Sequence, residues 1–147
     1  MFKHILLPTD GSALSRKAVR AGVALARAVG AKVTGFYSAE RYEILAYGEY
    51  FPPDLISREE WDIRSKKTAE RFLATIEKEA KAAGVKYNGF LLDSGSPWEA
   101  IVAAAKKKKC DLIFMASHGR TGISGLLMGS QAAKVLSHSK IPVLVYK

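Results

Sequence analysis

The sequence predicts an α/β domain in which a five-stranded parallel sheet carries helices on both faces. Short apolar runs typical of buried strands alternate with longer segments at helical spacing, in the order β-α-β-α-β-α-β-α-β. Helix-length connections between successive strands are typical of parallel sheets. A length of 147 residues and a hydrophobic content of 48% suit a single domain over residues 1–147 with a sizeable core.

The first strand and helix show clear boundary signals. A continuous apolar run predicts a strand over residues 3–8 that is buried on both faces. Either Ser12 or Ser15 serves as the N-cap of the helix that follows. This alanine-rich helix is expected over residues 13–29, and Gly30 is well placed to end it.

The second strand is followed by a connection that breaks the pattern. The strand is predicted over residues 32–38, and the connection, residues 39–56, scatters tyrosines and a phenylalanine among glycine and proline. These aromatic side chains either cover the sheet edge or a neighbouring subunit, or close over a ligand as a lid. Ser57 and Glu60 have capping-box spacing and open a long helix that ends at Gly84.

Trp61 and Phe72 lie on the apolar stripe of the second helix and are assigned to the core.

The third helix is predicted to start with a second capping box. A third strand is expected over residues 85–93. Ser96 and Glu99 then have capping-box spacing, with a proline at the first helical position between them.

The C-terminal third completes the alternation. The lysine run 106–109 falls at the end of the third helix, where cations are favourable. A fourth strand is predicted over residues 111–116, a last helix over 131–139 and a closing strand over 141–146.

Composition narrows the classes of function. The net charge of +9 is dispersed and has few interleaved aromatics, so a nucleic-acid surface is disfavoured. The apolar runs are too short to span a bilayer, and the N-terminus lacks the apolar core of a secretory signal. The single cysteine, Cys110, excludes an intramolecular disulfide and is expected to be buried and inert. Three histidines and this cysteine show no ligand spacing, so no metal site is predicted. We expect a cytoplasmic protein.

A glycine-rich segment over residues 115–130 carries the strongest functional signal. It joins the fourth strand to the last helix and holds glycines at 119, 122, 125 and 129. Backbone N–H groups in such a loop, together with a helix start, make an anion site that most often binds phosphate. If the first and fourth strands are neighbours, the loop over residues 8–12 faces the same crevice. The sequence therefore predicts a nucleotide-phosphate site at this edge of the sheet.

The order of several motifs resembles the universal stress protein family of the UspA type, in its nucleotide-binding branch. The resemblance is carried by residues 5–12 (ILLPTDGS), 94–97 (SGSP), the pair Gly129-Ser130 and residues 141–145 (IPVLV), and it covers essentially the whole chain. It implies strand order 3-2-1-4-5 in the adenine nucleotide alpha hydrolase-like, Rossmann-like fold. It also implies ATP, or ADP or AMP, with or without Mg²⁺, and a homodimer joined through the strand over residues 141–146.

The family's phosphate motif is Gly, two residues, Gly, nine residues, then Gly-Ser or Gly-Thr. Laid on this sequence it falls on Ala116, Gly119 and Gly129-Ser130, and Ala116 departs from the family glycine. The resemblance places Asp10 on the ribose or adenine side, with the backbone near Ser38 framing the base. The candidate nucleotide-binding residues are Pro8, Thr9, Asp10, Ser38, Ala116, His118, Gly119, Arg120, Gly129 and Ser130.

Three of these side chains have alternative interpretations. Asp10 either bonds ribose hydroxyls or only caps the first helix. His118 either hydrogen-bonds backbone or lines the phosphate pocket, and nothing beside it in sequence marks it as a catalytic base. Arg120 either contacts phosphate oxygens or is simply solvated.

The function predicted from these observations is a stress-response protein that acts as a nucleotide-dependent switch or adaptor for an unidentified protein partner. The sequence has no Walker-type lysine loop and no evident catalytic residue, so at most slow ATP hydrolysis is expected. The first alternative is a dimeric interaction module of the same fold that binds no nucleotide. The second is an ATP-using transferase or ligase.

Overall fold

Strands and helices alternate along the chain as the sequence predicts. The computed structural model describes residues 1–42, 56–120 and 128–147. Within them the strands are β1 (His4–Pro8), β2 (Lys32–Ala39), β3 (Tyr87–Asp93), β4 (Leu112–Ala116) and β5 (Val143–Tyr146). The helices that alternate with them are α1 (Ala13–Val29), α2 (Arg58–Ala82), α3 (Pro97–Lys107) and α4 (Ser130–His138).

All the strand pairs are parallel, and the sheet order is β3-β2-β1-β4-β5, which confirms the predicted fold class and strand order. The central strand β1 pairs with β2 on one side and with β4 on the other, where Ile5 lies opposite Leu112. The chain moves outward in opposite directions from β1 and β4. The carboxyl ends of these two strands are therefore the switch point at which ligands bind in open α/β sheets.

The sheet separates two hydrophobic cores. Successive residues of a strand point to opposite faces, and β4 shows this clearly. Leu112, Phe114 and Ala116 pack in the core beneath α1 and α2, whereas Ile113 and Met115 pack in the core beneath α3 and α4. We call these two sides the α1–α2 face and the α3–α4 face.

Two helix starts confirm the predicted caps. Ser12 Oγ accepts a 3.1 Å hydrogen bond from the N–H of Ser15 at the start of α1. At α2, Ser57 Oγ accepts from Glu60 N–H at 3.2 Å and Glu60 Oε2 accepts from Ser57 N–H at 3.0 Å, which is a complete capping box. Such caps satisfy N–H groups that the helix leaves unpaired and contribute about 1 kcal/mol each.

The predicted capping box at Ser96 and Glu99 is wrong. Helix α3 starts at Pro97, but the side chain of Ser96 makes no cap hydrogen bond. Ser94 Oγ instead donates to the Ser96 carbonyl at 2.9 Å and accepts from its N–H at 3.0 Å. The N–H of Trp98 donates to Gln131 Oε1 of α4 at 3.0 Å. Ser94 Oγ thus takes the Ser96 N–H that the box would have given to Glu99, and Gln131 of the neighbouring helix satisfies another N–H of the first turn.

Part of the aromatic connection lies outside the described residues. Tyr42 is described, and its hydroxyl donates to the carbonyl of Ile56 at 3.1 Å while its ring lies 6.4 Å from that of Trp61. The remaining aromatics of the connection, between residues 43 and 55, are outside the described residues, as are Gly122 and Gly125 of the glycine-rich segment.

Among the helices described, none combines the length and apolar character needed to cross a membrane.

Candidate functional site

The loops that follow β1 and β4 meet at the carboxyl edge of the sheet. The N–H of Arg120 donates to Oδ2 of Asp10 at 2.9 Å, and Nε of Arg120 donates to the backbone carbonyl of Asp10, also at 2.9 Å. Two residues 110 positions apart are therefore joined through both backbone and side chain. The structure brings together the two loops that the sequence assigned to one crevice.

The carboxylate of Asp10 accepts backbone hydrogen bonds from both loops. Its Oδ1 accepts from Ser12 N–H at 2.9 Å, which helps to start α1, while its Oδ2 faces Arg120. Burial acts to raise the pKa of Asp10, but hydrogen bonds from Ser12, Arg120 and Ser15 outweigh it and hold the pKa below its usual range. The group is therefore ionised at neutral pH, and its bond from Ser12 N–H gives it a local role at the start of α1, where Ser12 is the N-cap.

Two glycines are required by close approach of the backbone. A Cβ on Gly119 would collide with Oδ2 of Asp10. A Cβ on Gly129 would lie 3.1 Å from the Ser117 carbonyl oxygen and 3.2 Å from the Cα and Cβ of His118, tighter than ordinary contacts. The N–H of Gly129 donates to that same carbonyl at 2.7 Å. A side chain therefore does not fit at Gly119 unless Asp10 moves, and at Gly129 it requires the neighbouring backbone to shift slightly.

Helix α4 starts at the same edge. It begins at Ser130, which is exposed, and its N-cap is Gly129, which has no side chain to occupy the first N–H groups. The positive end of the helix dipole and these donors favour an anion beside the start of the helix. The arrangement can bind a phosphate group without any charged side chain.

Pro8 and Thr9 hold the first loop in place. Pro8 is the last residue of β1 and lies opposite Phe36 of β2. The N–H of Thr9 continues that pairing with a 2.9 Å bond to the carbonyl of Phe36. Its Oγ1 accepts from Gly11 N–H at 3.2 Å and lies 3.2 Å from Ser15 Oγ. These contacts position Asp10 rather than leaving Thr9 free.

Ser38 carries a buried polar atom with no hydrogen-bond partner in the described part of the chain. It lies in β2 two residues beyond Phe36, and Phe36 packs in the core of the α3–α4 face. Ser38 therefore points to that same face near the carboxyl end of β2. Buried hydroxyls are nearly always hydrogen-bonded, so this oxygen lacks, among the described residues, a partner that such a group normally has.

Ala116 and His118 are less exposed to the crevice than the glycines. Ala116 is the last residue of β4, is 8% exposed, and packs its methyl in the core of the α1–α2 face. His118 is half-buried, with Nδ1 lying 3.1 Å from Oγ of the buried Ser117. The described partner of the His118 ring is thus a side-chain hydroxyl and not a backbone group.

Sequence reasoning missed the wall that α2 contributes beside the first loop. Phe72 is half-buried rather than in the core, and its ring fills the space that a side chain on Gly11 would need. Gly11 has φ of 78°, a conformation that favours glycine. The guanidinium groups of Arg71 and Arg120 lie 5.0 and 5.7 Å from the centre of this ring. Helical spacing identified the face of Phe72 but gave no signal that a loop lay opposite.

Metal ligands do not gather at this edge. Across residues 1–42, 56–120 and 128–147, no group of three or more His, Cys, Asp or Glu side chains is arranged to hold a metal ion. The crevice therefore presents backbone donors, one ionised carboxylate, an unpartnered hydroxyl and a helix start. These groups suit a ligand that carries hydroxyls and an anionic group.

The fold and the crevice together define an α/β protein of the kind that binds ligands at a sheet switch point. The model of the Universal stress protein family matches residues 1–147. A universal stress protein of Thermus aquaticus is 35% identical over 149 residues and is covered in full, as is this chain. The chain belongs to the universal stress protein family.

Two solved structures are similar to this chain over nearly its whole length. The structure of protein MJ0577 of Methanocaldococcus jannaschii has a TM-score of 0.83 at 29% identity, covering 100% of this chain and 96% of that one. A universal stress protein in complex with cAMP has a TM-score of 0.73 at 25% identity, covering 99% and 97% of the two chains.

Proposed function

We propose that this chain binds an adenine nucleotide, ATP in the first place, in the crevice between the loops after β1 and β4. The observation that carries the proposal is the convergence of Asp10 and Arg120 beside the start of α4 at the sheet switch point. A ribose hydroxyl is a donor that suits the ionised carboxylate of Asp10. The relative that was crystallised with cAMP supports the choice of an adenine nucleotide.

In this proposal the two ends of the nucleotide meet different chemistry. The phosphates lie at Gly119, Gly129 and Ser130, where backbone approaches closely and a helix begins. The base lies toward the carboxyl end of β2, where the buried Oγ of Ser38 lacks a partner. Pro8 and Thr9 form the wall between them, and Mg²⁺ accompanies ATP through the phosphates rather than through a protein metal cluster.

The switch that we propose is a competition for Asp10. Its Oδ2 now accepts from the N–H of Arg120. A ribose hydroxyl that displaces this N–H from Oδ2 loosens the contact between the two loops, and of the two bonds described the one from Arg120 Nε to the Asp10 carbonyl then remains. Because a ligand shifts an equilibrium only through contacts that differ between two states, this exchange provides such a difference. The surface offered to a cytoplasmic protein partner in the stress response then depends on nucleotide.

We also propose that the chain forms a homodimer through residues 141–146. In the described sheet β5 is an edge strand paired with β4 alone. Leu144 on this strand is 38% exposed, and Leu136 of the adjacent α4 is 39% exposed. Exposed apolar edge strands are normally covered, and a second copy provides that cover. Light scattering is expected to show a dimer for the native chain and a monomer for Leu144→Glu.

Calorimetric titration with ATP and AMP, with and without Mg²⁺, tests nucleotide binding. Asp10→Asn removes the carboxylate charge and should weaken binding roughly tenfold or more, because hydrogen bonds to charged groups are strong. Asp62→Asn, at an exposed position on α2, is the matched control and should bind normally. Nucleotide released from the purified protein on denaturation identifies the preferred ligand.

The same exposed apolar edge supports the second candidate, an interaction module that binds no nucleotide. Absence of heat with folded protein at millimolar ATP and AMP would reject nucleotide binding and leave this candidate. For an interaction module of this kind, we expect the Asp10→Asn variant to form the same dimer as the native chain.

A further inference from the structure

A second cavity lies on the α1–α2 face, beside the nucleotide crevice but facing away from Ser38. Its volume is about 430 Å³, within the usual range of small-molecule pockets. Val19 of α1 and Ile76 of α2, both buried in the core of the α1–α2 face, form part of its lining. Ser38 points to the opposite face, so this cavity is separate from the place proposed for the base.

Three arginines from three different elements line this cavity. They are Arg16 of α1, Arg71 of α2 and Arg120 of the loop after β4. An Nη atom of Arg16 donates to the Gly11 carbonyl at 2.7 Å, and Nε of Arg120 donates to the Asp10 carbonyl at 2.9 Å. Backbone contacts therefore hold two of the three guanidinium groups at the rim, with other N–H donors left for a ligand.

None of these three arginines forms an ion pair with a carboxylate in the described part of the chain. The contrast lies one turn further along α1, where Arg20 pairs with Glu79 of α2 at 3.1 Å. The described lining of the cavity likewise includes no acidic side chain. The nearby carboxylate of Asp10 bonds the backbone N–H of Arg120. Guanidinium groups that line one cavity repel one another, and an anion bound between them relieves that repulsion.

An aromatic ring stands between the arginines. The guanidinium groups of Arg71 and Arg120 lie 5.0 and 5.7 Å from the centre of the Phe72 ring, on which cations bind favourably. The ring is fixed from two sides, because it packs against Gly11 and meets the Tyr37 ring edge-on at 5.4 Å. The cavity therefore combines a fixed apolar wall with a ring of guanidinium donors.

We infer that this cavity, the arginine pocket, is a second ligand site for a small phosphorylated metabolite. The fork of guanidinium donors matches phosphate oxygens, and Phe72, Val19 and Ile76 provide an apolar surface for the carbon part of the ligand. Thr9 and Arg120 are shared with the proposed nucleotide crevice, whereas Arg16 and Arg71 belong to this cavity alone.

Titration of inorganic pyrophosphate into the native chain and three variants tests the arginine pocket. Arg71→Gln and Arg16→Gln should each weaken pyrophosphate binding roughly tenfold, since each removes charge-assisted hydrogen bonds. The matched control is Arg27→Gln, which removes an exposed arginine of the last turn of α1 and should bind pyrophosphate as the native chain does. AMP binding in all three variants should stay within about twofold of native, because the phosphate site at α4 is intact.

Amide chemical-shift mapping of the native chain distinguishes this pocket from the phosphate site at α4 without any variant. Pyrophosphate should shift the signals of Gly11 and Thr75, which line the cavity. Shifts confined to Gly129 and Ser130, or equal pyrophosphate affinity in Arg71→Gln and Arg27→Gln, would overturn the inference. Absence of pyrophosphate binding to the native chain would overturn it as well, whatever the result with AMP.

Discussion

The backbone N–H of Arg120 lies 2.9 Å from Oδ2 of Asp10, and Gly119 passes the same oxygen too closely to carry a side chain. The other oxygen of this carboxylate receives the N–H of Ser12 at the start of α1. One carboxylate thus holds the loop after β4 against the first helix. A ligand that displaces the N–H of Arg120 from this oxygen would also change the contacts of residues 119 and 120.

Gly119→Ala tests how strongly this contact holds the loops together. The new methyl would collide with Asp10, so the loop must move and the bond from Arg120 is lost. We expect the free energy of unfolding in urea to fall by about 1–2 kcal/mol, the usual cost of a lost hydrogen bond to a charged group.

A double-mutant cycle provides the control for Gly119→Ala. In an Asp10→Ala background the clashing oxygen is absent, so the added methyl should cost much less. Equal destabilisation in both backgrounds would show that Gly119 is constrained by something other than Asp10.

Ala116→Gly tests the position at which this chain departs from the family motif. The Ala116 methyl is buried in the core of the α1–α2 face and φ there is not positive, so it neither crowds the crevice nor demands glycine. AMP affinity measured by calorimetry should therefore stay within about twofold, while loss of a buried methyl and added chain entropy cost about 1–2 kcal/mol of stability. Clearly tighter AMP binding would mean that the methyl does obstruct the phosphates.

His4 should make the stability of the fold depend on pH. It is 8% exposed, with Nε2 lying 2.7 Å from Thr34 Oγ1. Burial and then the charge of Lys32 lower the pKa of His4 below its ordinary 6.5, although Asp111 acts in the opposite direction. The unfolded chain therefore takes up this proton first as pH falls, and stability is lost from about pH 6.5 downward until the folded pKa is passed.

Urea titrations between pH 7.5 and 5 measure this loss. His4→Gln keeps an amide that can bond Thr34 and removes the titration, so its stability should depend less on pH. His118 and His138 remain in both proteins and serve as an internal control. The same pH dependence in both proteins would show that His4 does not contribute to it.

Cys110 should resist thiol reagents until the protein unfolds. It is 6% exposed, and burial followed by the charge of Asp111 raises its pKa to about 11. Only on the order of one thiol in a thousand is then ionised at pH 8, and the thiolate is the reactive form. An aromatic disulfide reagent is expected to label Cys110 only in denaturant, and rapid labelling of the native chain would contradict this.

Ile63→Cys provides the matched control for labelling. Ile63 is 50% exposed on α2, away from the proposed dimer edge, so a thiol there should react at once in the folded protein. The variant should therefore show one fast and one denaturant-dependent thiol.

The parts of the fold that are set by local patterns were predictable. Strand and helix spacing identified the elements, and caps such as Ser12 and the Ser57–Glu60 box were readable because both partners lie within one turn. The box at Ser96 failed because the Ser96 N–H bonds Ser94 Oγ instead of Glu99, while the N–H of Trp98 finds its acceptor in Gln131, 33 positions along the chain. Strand order came from the family resemblance, since spacing alone does not say that β1 adjoins β4.

In the candidate site, too, local motifs were predictable and contacts between distant parts of the chain were not. Asp10, Gly119 and Gly129 were identified from their place in motifs. The wall formed by Phe72 was missed because helix periodicity reports that a residue faces inward but not what it faces. Its partner Gly11 lies 61 positions away in the chain, and only the packing of α2 against the first loop brings the two together.

The position of β1 at the centre of the sheet also bears on how the chain is made. It is the first strand to be synthesised, yet Ile5 pairs with Leu112 on β4. At about 5–20 residues per second, translation of the intervening hundred or so residues takes roughly 5–20 s. During this interval β1 can pair with a neighbouring strand on one edge at most. A strand that is buried along its whole length in the folded protein thus waits for its second neighbour while about a hundred further residues are synthesised.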